Sequence, residues 1–273
     1  VHCNIEPTSK LDRLALTQKV IENRKSTMDF EIVAFPQHGL YYTDSLALMQ
    51  EAAKMDIDFI GGLDPTTIDG NLEKVMDVTI QMALDNNKGI DMHLHETGAL
   101  GLKTIEYLIK QVNQNPALKN KTFVSHSYVL GTLDVKTTER VAEELAQAGI
   151  GIISTVPIGY LVMPIPLLLQ KGVHVTSGTD SVTDHWQPFG LANMLQKANV
   201  MAESYGLNDE FGLSRCLKIA TNHVTPLNDK GQVAWPKVGD TASFGLYETS
   251  CSAEAVARMA PIQNHFSKGQ QIF

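Results

Sequence analysis

The segment Asp91-Met-His-Leu-His-Glu-Thr-Gly carries two histidines two residues apart, with a carboxylate directly after them. On a β-strand, residues i and i+2 share a face, so His93 and His95 point the same way. Glu96 falls at the strand end, where the chain can turn it toward the same space. An imidazole beside a carboxylate suits a metal-activated water with an adjacent proton carrier. A strand end with solvated polar side chains is the plainer reading of this segment alone. Thr122-Phe-Val-Ser-His126 ends a second run in a histidine, either a site residue or a hydrogen-bonded structural one. Val175-Thr-Ser-Gly-Thr-Asp180-Ser181 ends a third in an aspartate able to bind metal, act as a base or cap a helix. Taken together, His, His and Asp at three strand ends favour metal-dependent hydrolysis.

Such residues converge only if the elements bring strand ends together. β-rich runs begin at Val1, Phe30, Asp58, Gly89, Thr122, Gly149 and Val173. Amphipathic stretches lie between them: Leu11–Arg24, Ser45–Met55, Leu72–Asn86, Gly101–Val112, Thr138–Ala148 and a short turn at Pro164–Lys171. Longer helical patterns follow over Phe189–Ser204 and Glu210–Thr221. This alternation predicts βα units and a parallel sheet. Nearly every run ends in a reactive side chain: His2 and Asn4, Gln37, Asp64, His93, His126, Thr155 and Asp180. A barrel gathers all its strand C-termini on one site. A doubly wound sheet gathers ligands at one switch point, and its GxGxxG is absent. The expected fold is therefore an α/β (β/α)8 TIM-type barrel over residues 1–235, missing its first βα unit. A small C-terminal β appendage is expected over 236–273. The start at Val1, inside an apolar segment, fits a missing beginning. The edge so exposed is expected to be covered by the absent segment or by another copy of the chain, which makes a homo-oligomer one expected state.

The chain has 273 residues and a net charge of −8, with 43% hydrophobic and 19% charged residues. That supports a large core and argues against a nucleic-acid or anionic-membrane surface. Cys3, Cys216 and Cys251 form neither a disulfide framework nor a CxxC site, which fits a reducing cytoplasm. Ala148–Gln170 carries no charge before Lys171, but Pro157, Pro164 and Pro166 break it, so a buried strand and a loop are expected there rather than a membrane span.

HExxH, GxSxG, Walker and PCxxC deaminase patterns are all absent. Five segments instead resemble the amidohydrolase superfamily, in the branch of cytosine deaminase and N-isopropylammelide amidohydrolase. They are Ile32-Val-Ala-Phe-Pro-Gln37, Phe59-Ile-Gly-Gly-Leu-Asp-Pro65, Ile90-Asp-Met-His-Leu-His-Glu96, Ser125-His126 and Gly178-Thr-Asp-Ser-Val-Thr-Asp-His-Trp-Gln-Pro-Phe-Gly190. The resemblance implies one divalent metal, zinc or iron, bound by His93 and Asp180. It implies that His126 polarises water and substrate, that Asp180 accepts the water's proton, and that Glu96 carries a proton to a ring nitrogen. Gln37 would hold an amide edge of the ring, Trp186 would wall the pocket, and Ser181 would line it. The implied reaction is hydrolytic deamination of a small nitrogen heterocycle: a cytosine-like, triazine or pterin ring.

Departures qualify this. The family's first-strand His-x-His has no counterpart, since three strand units precede His93-x-His95. Ser181 stands where cytosine deaminase has a second Asp, and His38 where it has an acid. Cyclic-amide hydrolysis is the rival enzyme reading, but it needs a lysine where Gly62-Leu-Asp64 stands. A metal-free binding protein of the same fold is the rival outside enzymes. Two firm ligands predict weak metal binding and little turnover for this chain alone.

Overall fold

Each apolar run forms a strand, and each amphipathic stretch a helix, in the computed structural model, which describes residues 1–159, 161–183 and 188–273. The chain divides into two units, Val1–Ile153 with Met163–His174, and Ser154–Val162 with Val175–Phe273. The first unit runs β1 (His2–Asn4), α1 (Asp12–Glu22), β2 (Val33–Phe35), α2 (Leu46–Ala52), β3 (Phe59–Leu63), α3 (Leu72–Asp85), β4 (Gly89–Leu94), α4 (Gly98–Gln114), β5 (Thr122–His126), α5 (Val135–Ala148), β6 (Ile150–Ser154) and α6 (Ile165–Gln170). Strands β1 to β6 pair in parallel, each with its sequence neighbour.

Local chemistry sets the helix limits. Asn71 and Asp134 cap α3 and α5, accepting from the backbone N–H of Lys74 and Thr137. Gly149, at φ 68°, ends α5 in the left-handed conformation that glycine tolerates. The central strand β4 is buried along its whole length, as expected of a parallel strand covered on both faces. Register then lines up the strand ends: Leu63 pairs with His93, and Leu94 with His126.

The second unit contains β7 (Val175–Ser177), α7 (Met194–Tyr205), α8 (Glu210–Cys216), β8 (Phe244–Tyr247), α9 (Ser252–Arg258), β9 (Ile262–Ser267) and β10 (Gln270–Gln271). Helix α7 starts later than its pattern suggests, because the Asn193 side chain accepts from the Leu195 N–H and caps it. The last three strands form an antiparallel sheet in the order β10-β9-β8. Lys268 and Gly269, both at positive φ, make the two-residue turn between β9 and β10. Among the described residues no helix is long and apolar enough to cross a membrane.

Candidate functional site

Asp91 and His93 share one face of β4. The Asp91 carboxylate is buried and doubly engaged: Oδ1 accepts from Ser125 Oγ at 2.7 Å, and Oδ2 lies 2.8 Å from His2 Nε2. The same His2 nitrogen is 3.1 Å from His93 Nε2. His2 belongs to β1, with β2 and β3 lying between it and β4. At about 4.8 Å per strand, a flat sheet would hold these strands about 14 Å apart. Contact between their side chains requires that the sheet curl toward this face, as a barrel does and an open doubly wound sheet does not.

Glycine makes room for that contact. Gly61 pairs with Asp91 on the same face, and a Cβ there would lie 2.8 Å from the Phe35 ring and from the Ala34 carbonyl oxygen. Without one, Phe35 reaches across β3, and its ring centroid sits 4.5 Å from that of His93.

The chain turns after β3 and after β4, and Asp64 ties the two turns together. Its Oδ1 accepts from the backbone N–H groups of His95 (2.6 Å) and Glu96 (3.0 Å), while Oδ2 lies 2.8 Å from His95 Nδ1. Asp64 itself stands at φ 33°, a conformation rarely adopted by side-chain-bearing residues. Glu96 is equally engaged. Its Oε1 accepts from Thr66 N–H, Thr67 N–H and Thr67 Oγ1, and its Oε2 from Thr104 Oγ1 at 2.9 Å.

His126 ends β5 at φ 64°, followed by Ser127 at φ 53°. Two left-handed non-glycine residues in a row store strain, and they direct His126 into the histidine cluster. Its ring lies 4.9 Å from that of His93 and 4.3 Å from that of His95, centroid to centroid. Burial, then the neighbouring imidazole of His95, pushes the His126 pKa down to about 3. Burial and the His126, His2 and His95 rings hold His93 well below the usual histidine range. Both rings are therefore neutral at physiological pH, each with one nitrogen lone pair able to accept or ligate. His126 Nδ1 is buried and has no hydrogen-bond partner.

Two groups of side chains among the described residues bring three ligand atoms within 4.8 Å of one another: His93, His95 and His126, and His2, Asp91 and His93. Of the residues singled out in the sequence, His93 and His126 are brought together in the first unit, while the Glu96 carboxylate is buried against Thr66, Thr67 and Thr104. Gln37 is half-buried just past β2. Asp180 and Ser181 lie in the second unit, Asp180 exposed at φ 63° and Ser181 buried. Trp186 lies outside the described residues. Sequence reasoning placed His95 on the face of His93 and His2 among the reactive strand ends but made neither a ligand, and it gave Asp91 no role. The signal for His95 was its i+2 spacing from His93.

The Amidohydrolase family matches residues 3–265. The uncharacterized protein YahJ of Escherichia coli (strain K12) is 49% identical over 272 residues, covering 100% of this chain and 59% of that protein. N-isopropylammelide isopropyl amidohydrolase of Pseudomonas sp. (strain ADP) is 24% identical over 222 residues, 81% of this chain and 55% of that enzyme. The chain thus spans less than two thirds of the length of these curated relatives. Among solved structures, N-isopropylammelide isopropylaminohydrolase from Burkholderia multivorans superposes with a TM-score of 0.89 and 26% identity, covering 99% of this chain and 69% of that one. The 5-methylcytosine deaminase of Klebsiella pneumoniae, liganded with 5-fluorocytosine, gives a TM-score of 0.81 at 22% identity, covering 100% of this chain and 69% of that one. This second likeness is one of fold.

Proposed function

The chain belongs to the amidohydrolase family, and from that premise we propose that it serves metal-dependent hydrolysis of an exocyclic C–N bond on a small nitrogen heterocycle, releasing ammonia or an amine. The observation that carries this reading is the buried, neutral pair His93 and His126 at the ends of adjacent parallel strands, with an unpartnered nitrogen on His126. Neutral, buried imidazoles such as His93 and His126 are donors that a zinc- or iron-class ion takes, so the residues present fit the group. In this reading residues 1–235 act as the barrel and 236–273 as its appendage.

His93 would hold the ion, and the resemblance adds Asp180 as its companion ligand. The ion would supply a Lewis acid that lowers the pKa of water to near 7. The protein's own groups do the rest. Neutral His126 offers a ring nitrogen to the attacking water or to the group being displaced. Asp180 accepts the water's proton. Glu96 passes a proton to the ring nitrogen through Oε2, the oxygen with only one hydrogen bond. The Gln37 amide would pair with the amide edge of the ring, with Ser181 and Trp186 beside it. Substituted triazines are the first substrates to try, since two of the relatives are named for N-isopropylammelide.

The test is ammonia and alkylamine release by the zinc- or iron-loaded protein on a panel of ring amidines. Turnover of at least one ring, lost on chelation, is expected. Hydrolysis of cyclic amides with no amine released would overturn the reading in favour of ring opening.

A further inference from the structure

We propose that Asp69 is a positioning residue for Gln37: its carboxylate holds the turn after β2, so that the Gln37 amide stands in place before a substrate ring arrives. This rests on the hydrolase reading above and on the contact with the ring which that reading gives Gln37. Every residue involved lies in the first unit.

Three observations carry it. The first is the hold itself. Asp69 Oδ1 accepts from the backbone N–H groups of Tyr41 and Tyr42, each at 2.8 Å, and Oδ2 accepts from that of Leu40 at 2.9 Å. Three consecutive N–H groups thus converge on one carboxylate from the turn after β3. Hydrogen bonds to a charged acceptor are about twice as strong as neutral ones. Gly39, at φ 88°, permits the approach: a Cβ there would lie 2.6 Å from Asp69 Oδ1 and 2.7 Å from the Ile68 side chain.

The second observation is how few apolar anchors the turn has. No helix or strand covers the stretch between β2 and α2. Leu40 is buried, but His38 is exposed and the Tyr42 side chain projects outward, 77% exposed. Tyr41 lies under the Lys74 ammonium, 3.7 Å from ring centroid to Nζ. The turn is therefore held mainly through its backbone. A turn ordered in advance spares a bound ring the entropy of ordering it.

The third is where the hold comes from. The segment that carries Asp69 is tied at its other end to the turn after β4. There Asp64 Oδ1 accepts from the His95 and Glu96 N–H groups, and Glu96 Oε1 accepts from those of Thr66 and Thr67. One short segment therefore sets the turn bearing Gln37 against the turn that follows His93. Gln37 stands two residues past Phe35, whose ring packs against that of His93, and its N–H donates to the Phe35 carbonyl at 3.1 Å.

The experiment uses N-isopropylammelide and cytosine as probe rings on the zinc-loaded 273-residue protein. Amine or ammonia release gives KM and kcat, and calorimetry gives Kd, for the native protein, Asp69→Ala, Gln37→Ala and the double variant. Asp69→Ala should raise KM by about 10-fold with kcat within about 3-fold, the pattern of binding lost equally from ground and transition states. Added to Gln37→Ala, it should raise KM by less than about 2-fold more, because both changes remove one interaction. Asp69→Asn keeps an oxygen for Tyr41 and Tyr42 but none for Leu40, and should raise KM by only about 3-fold. Asp69 is half-buried, so these variants should fold, and circular dichroism of the chelator-stripped proteins checks it. Should Asp69→Ala not fold, Asp69→Asn carries the same cycle. Amine release with KM unchanged in Asp69→Ala, or with additive effects in the double variant, overturns the positioning role and leaves the hydrolase reading standing. Rings bound but not hydrolysed, with the two changes coupled in Kd, support the positioning role and remove the hydrolase reading. Probe rings that fail to bind the native protein overturn both.

Discussion

Asp64 and His95 come from turns 31 residues apart, yet two contacts join them, Oδ1 to the His95 N–H and Oδ2 to Nδ1, and the Asp64 N–H also donates to the carbonyl of His93 next to the same turn. One carboxylate thus fixes both the backbone and the ring of a candidate ligand. Asp64→Ala should leave the His95 and Glu96 N–H groups unsatisfied in a buried place, at about 1–3 kcal/mol each. Urea denaturation of the stripped protein measures this. Asp64→Asn, which keeps an acceptor for the backbone, should lose less stability.

Glu96 separates structure from chemistry by substitution. Its Oε1 accepts three hydrogen bonds and its Oε2 one, from a hydroxyl that can turn to accept instead. Glu96→Gln can therefore place its oxygen on Thr66 and Thr67 and its amide N–H on Thr104. Stability and metal content should stay near those of the native protein, while turnover falls by about 10²–10⁴-fold, the usual contribution of general acid–base transfer. Full turnover in Glu96→Gln would assign the carboxylate to structure alone. Glu96→Ala should lose stability as well, since two backbone N–H groups lose their acceptor.

Acid should destabilise the metal-free protein through its histidines. His126 titrates at about 3 when folded, while in the unfolded chain it titrates near 6.5. Its folded pKa is the lower one, so the unfolded chain binds the proton first. Stability is full above about pH 6.5 and falls as the pH drops toward 3. His93 acts in the same direction. The urea midpoint of the stripped protein should be lower at about pH 5 than at about pH 8. His126→Gln, if folded, should flatten this dependence.

Gly61→Ala tests the route by which Phe35 reaches the cluster. The new methyl group would meet the Phe35 ring and the Ala34 carbonyl at 2.8 Å, closer than carbon atoms pack. Overpacking of this kind costs about 1–3 kcal/mol. Because the Phe35 ring lies against that of His93, tilted by 45°, zinc affinity should fall together with the melting temperature. An unchanged melting temperature would show that the ring moves aside freely.

The sequence by itself determined the order of strands and helices and the identity of the end residues. Period-2 apolar runs and amphipathic stretches are local signals, and caps such as Asp134 and Gly149 are local too. His93, His126 and Glu96 were legible because each stands at the end of such a run. Boundaries were less so, as at α7, where the Asn193 cap overrides a longer apolar pattern. Only the tertiary structure brought His2 on β1 against Asp91 on β4, since curl is a property of the whole sheet and no single strand encodes it. Only the tertiary structure gave His95 a partner, because its orientation depends on a carboxylate from a different turn. The consecutive left-handed residues His126 and Ser127 likewise carry no glycine to announce them. Packing around the strand end imposes that conformation, and with it the direction of the imidazole.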